Sequence, residues 1–116
     1  MTIEQDLVAA IGPLCGNRVF PDFAPAGTQK PFVTYQQVGG RPLNYLSGTP
    51  DKANARIQIN AWAATRPEAN TLMRAIKAAI TAAPINALSL GELIAAYDEI
   101  TEHRGAQQDF SCWHTV

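Results

Sequence analysis

Apolar residues recur every three or four positions in two parts of the chain, a spacing that predicts two amphipathic helices. The first helix runs from Thr2 to about Leu14. Thr2 and Gln5 have the three-residue spacing of a capping box, and the acidic residues in the first turn suit the positive end of the helix dipole. The predicted buried face of this helix consists of Ile3, Leu7, Ile11 and Leu14.

The second helix is predicted from Thr65 to near Ala83, before Pro84. Thr65 is its predicted cap, and Glu68, three residues later, completes a second capping box. Its apolar stripe consists of Ala69, Leu72, Met73, Ile76, Ala79 and Ile80. Because the stripe is continuous over several turns, this helix is the most strongly specified element in the chain.

Strict alternation of apolar and polar residues over 53–63 predicts a strand with one buried face. The residues of that face are Ala55, Ile57, Ile59, Ala61 and Ala63. Trp62 falls on the polar side, so we expect that side to be partly covered as well. Shorter β-rich runs predict further strands at 18–20, 32–38, 93–97, 100–104 and 109–116, with a turn at 105–107. The 93–97 segment is also compatible with a helical turn.

The order of these elements predicts an α+β fold. With 116 residues, the chain has the length of a single domain spanning 1–116. One helix precedes three strands, and the second helix precedes the last strands. We therefore expect a mainly antiparallel sheet with two main helices packed on one face.

The segment from Gly39 to Lys52 is rich in glycine and proline and has no clear period. It nevertheless carries Leu43, Tyr45 and Leu46, and a solvated loop has little reason to hold three large apolar side chains. Two interpretations stay open: these side chains fold back onto the core, or they dock onto a partner. Together with Trp113 in the last strand, they form the predicted interface for another subunit or partner.

Composition narrows the classes of function. Charged residues make up 16% of the chain, and a surface with so few charges hints at burial against neighbouring subunits. The net charge is −1 and the nine Lys and Arg residues are scattered, which argues against nucleic-acid binding as the main function. An acidic N-terminus and the lack of a long apolar run predict a soluble protein with no membrane partner.

Candidate chemistry is sparse. His103 and His114 are the only histidines, and the acidic residues Asp98, Glu99 and Glu102 read best as a solvated strand edge. The sequence shows no recognisable combination of acid, base and nucleophile and no phosphate-binding loop. We therefore predict no catalytic, cofactor or metal site. Two cysteines, at positions 15 and 112, match neither a redox nor a zinc motif. Reduced thiols are favoured for them, although the sequence leaves a disulfide open.

The order of these pieces resembles a known family. A capped helix leads to a proline-rich loop and the segment 30–35, which joins a proline to an aromatic strand. After the glycine-rich loop comes Arg-Ile-Gln-Ile-Asn-Ala-Trp at 56–62, running directly into the second helix, and the chain ends in an aromatic strand at 109–114. This layout, over almost the whole chain, resembles the small tail-completion proteins of long-tailed bacteriophages and prophages, also called tail terminators or tail-to-head joining proteins.

The resemblance implies a structural protein of the virion tail, present in the cytoplasm of the bacterial host during assembly. Such proteins form a ring, usually a hexamer, on the last ring of the tail tube. The ring stops tube growth and offers a surface to the head connector, so the implied partners are further copies of this chain, the tube protein and the connector protein. DNA passes through the channel without specific binding. The family has no catalytic signature, so no residue role is transferred.

Three alternatives stay open. A head-closure or connector protein of the same assembly system is difficult to separate from a tail-completion protein by sequence. A small ligand-binding α+β domain without enzymatic activity needs an apolar pocket with a few converging polar groups. An enzyme is disfavoured, and a well-formed pocket around His103 or His114 with a strongly shifted pKa would favour it.

Overall fold

The computed structural model describes residues 2–41, 52–82 and 84–115. Leu43, Tyr45 and Leu46 lie outside the described residues. These described residues form two α-helices, one short 3₁₀ helix and six strands: α1 Ile3–Ile11, the 3₁₀ helix Gly12–Leu14, β1 Val19–Pro21, β2 Phe32–Gln37, β3 Lys52–Ala63, α2 Arg66–Thr81, β4 Leu88–Ser89, β5 Ile94–Asp98 and β6 His103–Thr115. Over the described ranges, no helix is both long enough and apolar enough to cross a membrane.

Both helices begin at the predicted caps. At α1 the Gln5 N–H donates to the Thr2 hydroxyl over 3.1 Å, and the Thr2 N–H donates to the Gln5 side chain over 2.8 Å, which confirms the capping box. At α2 the Glu68 N–H donates to the Thr65 hydroxyl over 3.4 Å. Among the described residues the Thr65 N–H does not donate to the Glu68 carboxylate, so only half of the second box is present.

The strands form one mixed, mostly antiparallel sheet in the order β1-β2-β3-β6-β4, and β5 pairs with the beginning of β6 on the same side as β4. The β1–β2 pair is parallel, whereas the other four pairs are antiparallel. The longest ladder joins β3 to β6, from Lys52 opposite Thr115 to Ala63 opposite Arg104. The helices pack on the sheet, so the predicted α+β fold class is confirmed.

The core lies between the helices and one side of the sheet. The five small and branched side chains predicted for the buried face of β3 all have at most 1% of their surface exposed, which confirms the period-two reading. The helices contribute mainly Leu7, Ile11, Met73, Ile76 and Ile80 to the same cluster. Phe110 of β6 is the largest fully buried side chain among the described residues.

Two predictions for the C-terminal third were wrong. Gly105–Gln107, expected to form a turn, lie inside β6 and pair with β3 on one side and β5 on the other. The turn comes earlier, after Asp98, whose carboxylate accepts the N–H groups of Ile100 and Thr101 over 3.0 and 3.5 Å. The predicted strand at 100–104 is therefore a turn followed by the first residues of β6. Of the acidic cluster, Asp98 ends the edge strand β5, whereas Glu99 and Glu102 lie in this turn.

Candidate functional site

The side of the sheet away from the helices, here called the open face, carries polar pairs that bridge neighbouring strands. Residues directly opposite each other in a ladder project to the same side. Gln36 bonds Gln58 over 3.5 Å, and Asn54 donates to the Ser111 hydroxyl over 2.7 Å. Between them Arg56 and Asp109 form an ion pair of 2.8 Å. The central open face is therefore polar, and the charge of its arginine is balanced.

At the end of the open face where β2 and β6 begin, aromatic side chains line a recess of about 310 Å³. The Phe32 and His103 rings meet edge to face with centroids 5.3 Å apart, and the Trp62 ring lies 6.4 Å from His103. The loop at 22–28 forms the opposite wall. The indole N–H of Trp62 donates to the Thr34 hydroxyl over 3.4 Å, which fixes the ring against the sheet. This recess explains why Trp62 stands on the polar side of its strand.

Two titratable groups that line this recess, His103 and Asp98, have lowered pKa values. Burial lowers the pKa of His103 below its ordinary value of 6.5; nearby Lys30 lowers it further, and Asp98 opposes the shift. The imidazole is therefore neutral near pH 7. Its contacts are aromatic rings, and the Asp98 carboxylate is already engaged by its own turn. This arrangement offers packing and no activated nucleophile.

Metal ligation and thiol chemistry have no support in the described geometry. Across residues 2–41, 52–82 and 84–115, no group of three or more His, Cys, Asp or Glu side chains could hold a metal ion. Cys15 and Cys112 are free and buried. Burial raises the pKa of Cys112 to about 11 and also raises that of Cys15, so both remain protonated thiols at neutral pH.

Trp113, the predicted interface residue inside the described part of the chain, lies at the opposite end of the open face. It is 45% exposed and pairs with Asn54 across the β3–β6 ladder. The Asn54 side chain also accepts the N–H of Arg41 over 2.8 Å, and β3 starts at Lys52. Arg41 and Lys52, the described residues that flank 42–51, are thus held near Trp113. The structure brings the exposed tryptophan to the base of the segment that carries the other predicted interface residues.

Gly105 is a structural requirement of the recess that sequence analysis missed, because the residue looked like part of a turn. A Cβ atom on Gly105 would lie 2.8 Å from two ring carbons of Trp62. The ring therefore rests directly on the glycine backbone of the neighbouring strand. The sequence signal for this contact was Trp62 on the polar side of β3. That signal does not show that Gly105 lies opposite Trp62 in the ladder.

We expect Gly105→Ala to lower the free energy of unfolding by about 1–3 kcal/mol, because the added methyl group overlaps the Trp62 ring. Urea titration of the purified variant measures this loss. In a Trp62→Ala background the overlap disappears, so the same glycine substitution should cost about 0.5 kcal/mol or less. Equal costs in the two backgrounds would show that the ring contact does not constrain position 105.

Comparison with known proteins gives a family and a related structure. The family model described as "Tail completion protein gp17" matches residues 6–115. A chain from a structure titled "Virion of native gene transfer agent (GTA) particle" superposes with a TM-score of 0.68 and 18% sequence identity, over 97% of this chain and 91% of that chain. That likeness shows a shared fold. No curated protein matches the sequence.

Proposed function

Because this chain belongs to the tail completion protein gp17 family, we propose that it closes the end of a phage tail tube as an oligomeric ring and joins the tail to the head. Membership of the family makes it a structural protein of the phage tail. Closing the tube and joining it to the head would require three partners: further copies of the chain, the tube protein and the head connector. The family match over residues 6–115 is the observation that carries this proposal.

The charge distribution on the open face supports a role around DNA. A channel that binds phosphates tightly would hinder DNA passage, since every neutralised phosphate adds to the affinity. On this face Arg56 is paired with Asp109, and most of the other polar groups there are uncharged amides and hydroxyls. A ring whose channel is lined by such a surface would let the duplex pass without specific binding.

We also propose that Leu43, Tyr45, Leu46 and Trp113 contact the tube or a neighbouring subunit. The exposure of Trp113 supports this assignment, as does its position where the 42–51 segment leaves and rejoins the sheet. Large aromatic side chains that stand exposed beside polar rims are typical of protein interfaces. The protein would act in the virion tail and, before that, in the cytoplasm of the infected or lysogenic bacterium.

A ligand-binding function would need a pocket, and the aromatic recess is the pocket that could serve it. Its volume of about 310 Å³ is at the lower end for small-molecule sites. However, two of its polar groups already have partners within the chain: Thr34 accepts from Trp62, and Asp98 accepts from the turn that follows it. The geometry therefore favours a structural function over the ligand-binding alternative.

The function is tested by mixing the purified protein with tail tubes assembled from the tube protein of the same phage. Negative-stain images should show a cap at one end of each tube, and light scattering should show that capped tubes no longer elongate when tube protein is added. Tubes without the protein are the control and should keep growing. Binding to isolated head connectors but not to tubes would support a head-closure protein instead. Binding to neither would contradict both structural assignments.

A further inference from the structure

The aromatic recess at the end of the open face is lined by four rings: Phe23, Phe32, Trp62 and His103. Phe32 is buried and Trp62 and His103 are half-buried, whereas Phe23, on the loop at 22–28, is 77% exposed. The exposed ring therefore stands in one wall of a recess whose other aromatic groups are held by the sheet. Together the four rings form an aromatic surface that is open to solvent.

The charged side chains that line the same recess are both carboxylates, Asp22 and Asp98, and no Lys or Arg is present among the described residues of its lining. Within the described part of the chain, neither carboxylate forms an ion pair with a basic side chain. A hydrogen bond from the Thr101 side chain, and then one from the backbone of Ile100, lower the pKa of Asp98, which is therefore charged at neutral pH. Since an ionised carboxylate offers about four acceptor sites, this turn leaves room for a further donor.

The basic groups nearby do not cancel this charge. Burial first, and then Lys30, lower the pKa of His103 against the opposing effect of Asp98, so the imidazole adds a ring without a positive charge near pH 7. Lys30 is exposed and is not among the residues that line the recess. One lysine outside the recess, set against two carboxylates in its lining, leaves a balance of one negative charge. The recess therefore attracts a cation.

We propose that the recess binds the side chain of an arginine that projects from a partner protein. The faces of aromatic rings attract positive charge, and carboxylates accept charge-assisted hydrogen bonds from it. A guanidinium group fits this combination better than an ammonium group, because it is planar, stacks on rings, donates to a carboxylate through two N–H groups at once and is more weakly hydrated. A recess of about 310 Å³ has room for one long side chain.

The source of the cation follows from what the lining lacks. Free arginine carries an α-carboxylate, which needs a positively charged group and would meet Asp22 and Asp98 instead. An arginine within a protein chain has no such charge, because its carboxyl group is part of a peptide bond. The recess therefore suits an arginine that a partner protein presents. The inference does not depend on the proposed ring, since it concerns one side chain and not the number of subunits.

NMR titration of the isotope-labelled protein with the blocked peptide acetyl-Gly-Arg-Gly-amide tests the proposal. The chain has two tryptophans, so the indole N–H of Trp62 reports on the recess, while that of Trp113, at the other end of the open face, is an internal control. We expect the Trp62 signal to shift with a Kd of about 1–10 mM, as is reasonable for a single side chain, and the Trp113 signal to stay. A citrulline peptide, which keeps the shape without the charge, should bind at least about tenfold more weakly, and a lysine peptide at least about threefold more weakly.

Variants separate the two kinds of contact. Asp22→Asn with Asp98→Asn removes both charges and keeps the acceptor oxygen of the turn, and asparagine tolerates the positive φ of 67° at position 22. Phe23→Ala removes the exposed ring, with little effect on stability expected for a surface side chain. Each variant should bind the arginine peptide at least about threefold more weakly. The control is Glu92→Gln, which removes an exposed carboxylate outside the recess and should bind as the wild type does.

Four outcomes would overturn the proposal. Equal affinity for the citrulline peptide would show that charge plays no part, and equal affinity of the Phe23→Ala and wild-type proteins would remove the aromatic wall from the site. A Trp62 signal that does not move at about 50 mM arginine peptide, or that moves only as much as the Trp113 signal, would show that the recess is not a binding site. Free arginine that binds more tightly than the blocked peptide would assign the recess to a free amino acid instead of a partner protein.

Discussion

Replacing Phe110 with alanine is expected to lower the free energy of unfolding by about 3–5 kcal/mol. Phe110 is fully buried in β6, opposite Ile57 in the longest ladder of the sheet. Its removal leaves a cavity between the sheet and the helices, in a core whose neighbours are held by two long strands and cannot easily close around it. A loss of this size is comparable to the total stability of many small domains.

Urea unfolding followed by circular dichroism measures the effect, and Trp113→Ala in the same strand is the matched control. Both substitutions remove a large aromatic side chain, but Trp113 is 45% exposed. We expect the control to lose about 1 kcal/mol or less, since surface changes away from the core have small effects. Similar losses for the two variants would mean that the core does not depend on β6 as the structure indicates.

The elements that sequence analysis predicted well are those with a local signal. The alternation along β3 shows which side of the strand faces the helices, and the caps at Thr2 and Thr65 mark where each helix begins. Both signals depend on neighbours within a few residues, through side-chain period or through one hydrogen bond. The fold class followed from the order of such elements.

The C-terminal third shows what a local signal cannot provide. Gly105 favours a turn when it is considered with its sequence neighbours. In the structure it belongs to a strand because Trp62, more than forty positions earlier, covers it from the neighbouring strand. The true turn is fixed by Asp98, whose side chain accepts two backbone N–H groups. Pairing between distant segments therefore decided where β5 ended and β6 began.

The aromatic recess was equally inaccessible from the sequence, because three separated segments build it. Phe32 begins β2, Trp62 is the last residue but one of β3, and His103 begins β6, so only the sheet register brings their rings together. By contrast, Trp113 was predicted as an interface residue, and the structure places it exposed near Arg41 and Lys52, which flank 42–51. Its contact with a partner stays a prediction.

A chain with Leu43, Tyr45 and Leu46 all replaced by alanine is expected to lose tail completion while it keeps its fold. Truncation of a central apolar anchor in an interface costs about 2 kcal/mol or more, which is about a thirtyfold loss of affinity for each anchor that docks. The expected result is that tube caps disappear from negative-stain images and that complementation of a phage lacking the gene falls to background. Trp113→Ala should show the same defect in weaker form.

Stability decides between docking and burial in the chain's own core, the two interpretations that the sequence left open. If the three side chains belong to the core, the triple alanine variant should lose several kcal/mol of unfolding free energy. If they dock onto a partner instead, its unfolding free energy should be nearly unchanged. Urea unfolding of the triple variant therefore belongs beside the capping assay. Normal stability with lost capping assigns these side chains to the partner contact; lost stability assigns them to the core. A variant that is stable and still caps tubes would remove the segment from the interface and leave Trp113 as its remaining candidate.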